Sequence, residues 1–277
     1  MEKSIPIAHS TPRLNKDSRR PGYDLWVQCW SSSGITNEIT ATCKYKSNID
    51  TSPSKVALTM IRNFKDQRSF ESTLSPSEAK RAIYIDFEGF ENKEPTFVGV
   101  RIDGHFIQLI FDIDLDLAAR SHNLKVVDGK SYLTSLIKKA ETENRRIIGF
   151  SSHEKTVIKT FFHLDIDHLY ADARFLAKYL RKTVLKNIDK KPRDLTSYLY
   201  ALNYPKKDSA IKKTTSRIGS VKKMLLEKKL KYGQNAFEKC SPVVKAKWTK
   251  VLNHNDDDVN GMAFLVDHYI SEISINS

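Results

Sequence analysis

Two acidic residues two positions apart, Asp86 and Glu88, stand inside the run Ile83-Tyr84-Ile85-Asp86-Phe87-Glu88-Gly89. Alternate side chains of a strand share a face, so both carboxylates point the same way. Carboxylates flanked by Ile and Phe cost free energy to bury unless a compensating charge is present. Divalent Mg2+ or Mn2+ favours hard oxygen ligands of this kind, and two such ions about 3.5–4 Å apart can clamp the attacking and leaving oxygens of a phosphodiester. The same spacing also occurs in strands whose polar face simply meets solvent.

A second acidic group lies near the end of the chain, in His254-Asn255-Asp256-Asp257-Asp258. It precedes Val259, Met262, Ala263, Val266, Tyr269, Ile270 and Ile273, which recur at helical spacing as a buried stripe. His254 and Asp258 are four apart and share a helical face if the helix begins early enough. Acidic residues at a helix start also cap it and complement its dipole, a role that suits Asp256 and Asp257. Asp258 sits at the edge of the stripe instead. Glu154 shares a helical face with Val157, Ile158 and Phe161, and with Ser151 it also forms the S-x-x-E spacing of a capping box. Asp172, at the end of a predicted strand, is a helix cap or a site acid. There is no Walker loop, no G-x-S-x-G elbow and no H-E-x-x-H helix. His163 and His168 read as surface or satisfied core residues.

The elements that must position these residues follow from periodicity. Residues 82–90, 95–103 and 105–112 alternate as strands joined by short turns, including Asp103-Gly104, which implies three antiparallel neighbours. Next come a helix at 131–142, a strand at 146–150, a helix at 153–162, a strand near 168–171 and a helix at 173–182. Alternation of that kind adds parallel strands. Three antiparallel strands followed by two parallel ones, flanked by helices, is the order of a ribonuclease H-like α/β core. Residues 194–275 read as helical, with Ser241-Pro242 marking one helix start.

The order Ile-Asp-Phe-Glu, then Ser-Ser-His-Glu after Ile-Ile-Gly-Phe, then Asp172-Ala-Arg-Phe-Leu-Ala-Lys, and finally His-Asn-Asp-Asp-Asp-Val, resembles the DEDD exonuclease superfamily. It is most similar to the ribonuclease H-like nucleases found alone or beside RecB-type nuclease domains, over about residues 80–275. The resemblance implies 3′-to-5′ exonuclease activity with two Mg2+ or Mn2+ ions. It makes Asp86, Glu88, Glu154 and Asp258 the metal ligands and His254 the residue that orients or deprotonates water. Glu154 stands where aspartate is common, and His254 where this branch has tyrosine. The competing expectation is a catalytically inactive nucleic-acid-binding protein or subunit with the same fold.

Charge is distributed unevenly over the 277 residues. The net charge is +13, yet residues 173–250 hold 22 Lys and Arg against 5 Asp and Glu, which leaves −4 for the remainder. A basic helical segment suits a polyanionic partner such as DNA or RNA, because neutralised phosphates release counterions. Lys206, Lys207, Lys212, Lys213, Arg217, Lys222 and Lys223 are the candidate contacts, with Tyr198, Tyr200, Tyr204 and Trp248 as stacking candidates. A solvated lysine-rich surface would have the same composition. No apolar run is long enough to cross a bilayer, and the first twenty residues are not a secretory signal, so a cytoplasmic protein without a membrane partner is expected. Cys29, Cys43 and Cys240 form no C-x-x-C pair. Residues 1–75 are expected to be a flexible arm over 1–20 and a small accessory region of unknown role, with strands at 23–30 and 38–45 and a helix at 54–64. The ribonuclease H-like domain is expected over 76–277.

Overall fold

Alternating apolar residues and tight turns build a sheet around one central strand. The structure, a computed structural model, describes residues 73–90, 92–205 and 214–275, all within one compact unit. The expectations for the arm, the accessory region and Lys206, Lys207, Lys212 and Lys213 lie outside the described residues.

The strands in chain order are β1 Ile83–Gly89, β2 Pro95–Ile102, β3 His105–Ile110, β4 Lys125–Val126, β5 Ile147–Gly149 and β6 Tyr170–Asp172. They form one mixed sheet in the order β4-β3-β2-β1-β5-β6. The pairs β1/β2 and β2/β3 are antiparallel, whereas β3/β4, β1/β5 and β5/β6 are parallel. The β2–β3 turn is Asp103-Gly104 with φ of 53° and 80°. Positive φ at both central residues matches the twist of the flanking strands, and Gly adopts it without a Cβ penalty. The edge strand β4 has no counterpart in the sequence expectations, since two residues are too few to show alternation.

Helices cover both faces of the sheet. They are α1 Pro76–Arg81, α2 Asp116–Arg120, α3 Gly129–Thr142, α4 Ser152–Phe162, α5 Ala173–Lys182, α6 Leu195–Ala201, α7 Thr214–Tyr232 and α8 Pro242–Ile275. Ile83, Ile85 and Phe87 of β1 pack with Leu133 and Leu136 of α3 and Val157 and Phe162 of α4. On the opposite face, Tyr84 and Ile148 pack with α5, α6 and the C-terminal half of α8, including Val259 and Met262. Phe97 and Ile110 pack there with α7 and the N-terminal half of α8, including Trp248 and Val251. Asp86 and Glu88 therefore face α8 rather than α3 and α4.

The final helix corrects one expectation. It is a single 34-residue rod that starts at Pro242, with the Ser241 hydroxyl capping Val244 N at 3.4 Å. At 1.5 Å per residue it is about 50 Å long. Its buried stripe runs back from Val259 through Asn255, Val251, Trp248 and Val244, so Asp256 and Asp257 are interior helical residues and not N-caps. Among the described residues, no helix is long and apolar enough to cross a membrane.

Two stacking candidates are core residues instead. Trp248 is fully buried, donates from Nε1 to the Ala118 carbonyl at 3.1 Å and meets the Phe97 ring edge-on at 5.9 Å between centroids. Tyr198 is likewise buried, whereas Tyr200 is exposed and Tyr204 packs against Phe264. Replacing Trp248 with Ala removes a full aromatic side chain and one donor to the Ala118 carbonyl, which keeps the Ser121 hydroxyl at 2.8 Å. It is expected to lower unfolding free energy by about 3–5 kcal/mol, measured by urea denaturation. A loss below about 1 kcal/mol would show that this core is not closed around Trp248.

Candidate functional site

The site forms where β1 passes beneath the middle of α8. In the strand register Asp86 of β1 lies beside Gly99 of β2, and Gly99 beside Gln108 of β3. Asn255 of α8 lies over Gly99, so closely that a Cβ there would fall 2.1 Å from Asn255 Oδ1. From that seat the Asn255 amide donates to the Asp86 carboxylate Oδ2 at 2.7 Å and to the Asp86 backbone carbonyl at 3.2 Å. Its own oxygen accepts from Gln108 Nε2 at 3.0 Å, and Gln108 Nε2 also donates to the Leu252 carbonyl at 2.9 Å.

One helical turn carries the other α8 members. His254 Nε2 lies 3.5 Å from Asp258 Oδ2 and 3.9 Å from Glu88 Oε1, so the imidazole stands between the two carboxylates. Glu88 also accepts a hydrogen bond from the Thr214 side chain, at the first residue of α7. The neighbouring Thr215 hydroxyl donates to the Gly89 carbonyl at 3.1 Å. The start of α7 is thus tied to the end of β1.

Glu154 and Asp172 enter from the adjoining strand ends. The Ser151/Glu154 capping box is present, with Glu154 Oε2 accepting from Ser151 N at 3.3 Å. The same oxygen accepts from the Tyr170 hydroxyl at 3.0 Å. Gly149 makes room for both groups, because a Cβ there would lie 2.3 Å from the Tyr170 hydroxyl and 2.6 Å from Glu154 Oε2. Asp172 is buried and caps α5, accepting from Arg174 N at 2.8 Å.

Burial and neighbouring negative charge push Asp86, Glu88 and Glu154 toward their protonated forms. Burial is the largest influence on Asp86, followed by the charges of Glu88, Asp258 and Glu154, and together they hold it well above the ordinary carboxylate range despite the Asn255 hydrogen bond. Burial and then the Asp258 charge push Glu88 up to about 8, against the Thr214 hydrogen bond. Burial pushes Glu154 up to about 7, with its hydrogen bonds opposing and Asp172 adding to the rise. The four carboxylates Asp86, Glu88, Glu154 and Asp258 therefore share one electrostatic field. Among the described residues no group of three or more His, Cys, Asp or Glu side chains is pre-assembled for a metal ion.

The described basic candidates are not equivalent. Lys222 Nζ is held by Asp112 Oδ2 at 2.6 Å and Asp114 Oδ2 at 2.9 Å, an ion-pair network that ties α7 to the segment after β3. Lys223 is exposed and Arg217 is half-buried. Asn255, Gly99, Gln108, Tyr170 and the Thr214-Thr215 pair are site residues that sequence reasoning misses. Only Asn255 leaves a signal there, as the polar residue in the apolar stripe once that stripe is continued back to Val244.

Comparison with protein-family models, curated proteins and solved structures finds no match.

The raised carboxylates set a pH dependence for the metal-free protein. Glu88 and Glu154 start from 4.5, so between about 4.5 and about 8 the folded protein holds protons that the unfolded chain has released. Their contribution to stability is complete below that window and is lost as pH rises through it. Melting temperature in chelator is expected to fall across this range, with a shallower fall for Glu88→Gln. A flat profile in the native protein would contradict the buried, mutually repelling arrangement.

Proposed function

We propose that this chain is a metal-dependent nuclease that hydrolyses phosphodiester bonds, a 3′-to-5′ exonuclease of ribonuclease H-like fold. The observation that carries the reading is that the charges of Glu88, Asp258 and Glu154 all act on Asp86, so carboxylates from β1, α4 and α8 share one neighbourhood. The directions of β3, β2, β1, β5 and β6 support the fold assignment, since three antiparallel strands are followed by two parallel ones in the order of that core. The resemblance to DEDD exonucleases rests on the same residues.

The donor set suits Mg2+ or Mn2+. It consists of hard carboxylate oxygens whose mutual repulsion a multivalent cation would relieve. Asp86, Glu88, Glu154 and Asp258 would hold the metal, which would supply Lewis-acid polarisation of the phosphodiester and a more acidic water. His254 presents Nε2 between Glu88 and Asp258, which places it to accept a proton from a water at the carboxylate cluster. Residues 214–250 carry 10 Lys and Arg against 2 Asp and Glu, which suits a nucleic-acid strand bound along α7 and the start of α8.

Assays on single-stranded and duplex DNA and RNA with Mg2+ or Mn2+ test the reading directly. Asp86→Asn and Asp258→Asn are each expected to abolish cleavage with the fold retained, and near-normal turnover in either would remove the metal site. His254→Ala should lower turnover by about 10²–10⁴-fold while metal binding persists, as loss of a general base does. An unchanged rate would leave His254 as a spacer. Strand binding without cleavage in the native protein would favour a non-catalytic binding role.

Reversing the charges of Lys228, Lys229 and Lys231 is expected to weaken nucleic-acid affinity. The plot of log K against log salt should flatten by about 0.7–0.9 for each phosphate that is no longer neutralised. Binding would be measured in Ca2+ across several salt concentrations. An unaltered slope would mean that these lysines form only a solvated surface.

A further inference from the structure

The geometry points to Asn255 as a positioning residue that fixes which oxygen of Asp86 is offered to a metal ion, with Gly99 and Gln108 as the two features that make this possible. The assignment rests on the metal-site reading above and adds a role for residues that carry no charge.

Asn255 is completely buried, in the apolar stripe of α8, where an amide costs free energy unless both of its ends are paired. All its partners are in place, and their chemistry allows only one orientation. The Leu252 carbonyl can only accept, so Gln108 must turn its NH2 group toward it. The same NH2 group then donates to Asn255 Oδ1 at 3.0 Å, which leaves the Asn255 NH2 group facing Asp86. Both protons of that group are used, one on the Asp86 backbone carbonyl at 3.2 Å and one on Oδ2 at 2.7 Å. The carboxylate is therefore gripped through Oδ2 and through its own main chain, and Oδ1 is the oxygen left for a cation. Polarity is handed from a helix carbonyl through two amides to the acid, and a flipped amide at either step would set oxygen against oxygen.

Gly99 is what lets the relay exist. The strand register places it between Asp86 and Gln108, and a Cβ there would lie 2.1 Å from Asn255 Oδ1 and 2.8 Å from its Cγ. Even a methyl group at 99 would fall on the Asn255 amide and drive it off Asp86.

The test is Mn2+ affinity, measured by calorimetry on the full chain, for Asn255→Ala, Gly99→Ala, the two combined, and Gln108→Leu. Thermal melting in chelator would establish that each variant is folded. Asn255→Ala is expected to weaken Mn2+ by about 10–100-fold, the usual cost of losing a partner that orients a ligand. Gly99→Ala should weaken it comparably although it removes no polar group. The double variant should be no worse than Asn255→Ala, because the methyl group at 99 then has nothing to displace. Gln108→Leu lies outside the tight seat at Gly99 and should show a smaller loss in the same direction, which keeps the assignment testable if Asn255→Ala fails to fold. Native-like Mn2+ affinity in folded Asn255→Ala, or additive losses in the double variant, would overturn the role of Asn255. A native protein whose Mn2+ binding is absent or insensitive to Asp86→Asn would instead overturn the metal reading, and this assignment with it.

Discussion

The approach of α8 to the sheet at Gly99 is the constraint on which the site depends. A side chain at that strand position would hold the helix off by the thickness of a methyl group or more. Without one, a helix of about 50 Å comes down onto β2 at Asn255, and the Arg101 guanidinium of β2 donates to Asn260 Oδ1 just over one turn further along. His254 and Asp258 flank this seat within about one turn of the helix, and their positions relative to Glu88 follow from it. The apolar contacts along the rest of α8 hold the helix against the sheet, but they are non-directional and do not fix its rotation. The hydrogen bonds of Asn255 do, together with those of Asn260 and Trp248, because turning the helix would break them.

The same closeness has an electrostatic cost. Bringing Asp258 down onto β1 adds a third negative charge beside Asp86 and Glu88, and the carboxylates respond by favouring protons. The surrounding donors, Asn255 for Asp86, Thr214 for Glu88 and Tyr170 for Glu154, each stabilise the charged form but are outweighed by burial. The arrangement conflicts locally with good packing, and such conflicts in otherwise consistent folds concentrate at functional positions. Glu154 combines two effects in one group, since one oxygen caps α4 while its charge is felt at Asp86.

What the sequence made legible was whatever depended on a short repeat. Period-two alternation placed Asp86 and Glu88 on one face, and Asp103-Gly104 marked the hairpin. The S-x-x-E spacing located the start of α4. The full extent of α8 was hidden because His254 to Asp258 interrupt its apolar stripe, and acidic residues before a hydrophobic run look like a helix start. Trp248 looks like a surface aromatic in the sequence because its neighbours Lys247 and Lys250 are charged, although its own position lies on the buried face. Lys222 is one more cation in a basic segment until the fold sets Asp112 and Asp114 beside it. Gly99, Gln108 and Tyr170 had no legible role, because each acts through a partner brought near only by the tertiary fold.

The separation along the chain between Asp86 and Asn255, 169 residues, also orders events during synthesis. The sheet around β1 is complete in sequence by Asp172, long before α8 leaves the ribosome. Until it does, neither Asn255 nor Asp258 can act on Asp86 and Glu88, and water remains free to solvate both carboxylates. Closing so long a loop adds only logarithmically to the entropic cost, so the late arrival of α8 is no obstacle to stability. A nascent or truncated chain ending before Asp258 would have the fold's central strand but not the assembled carboxylate cluster. The last helix is therefore required before the acidic strand can become part of a shared charged centre.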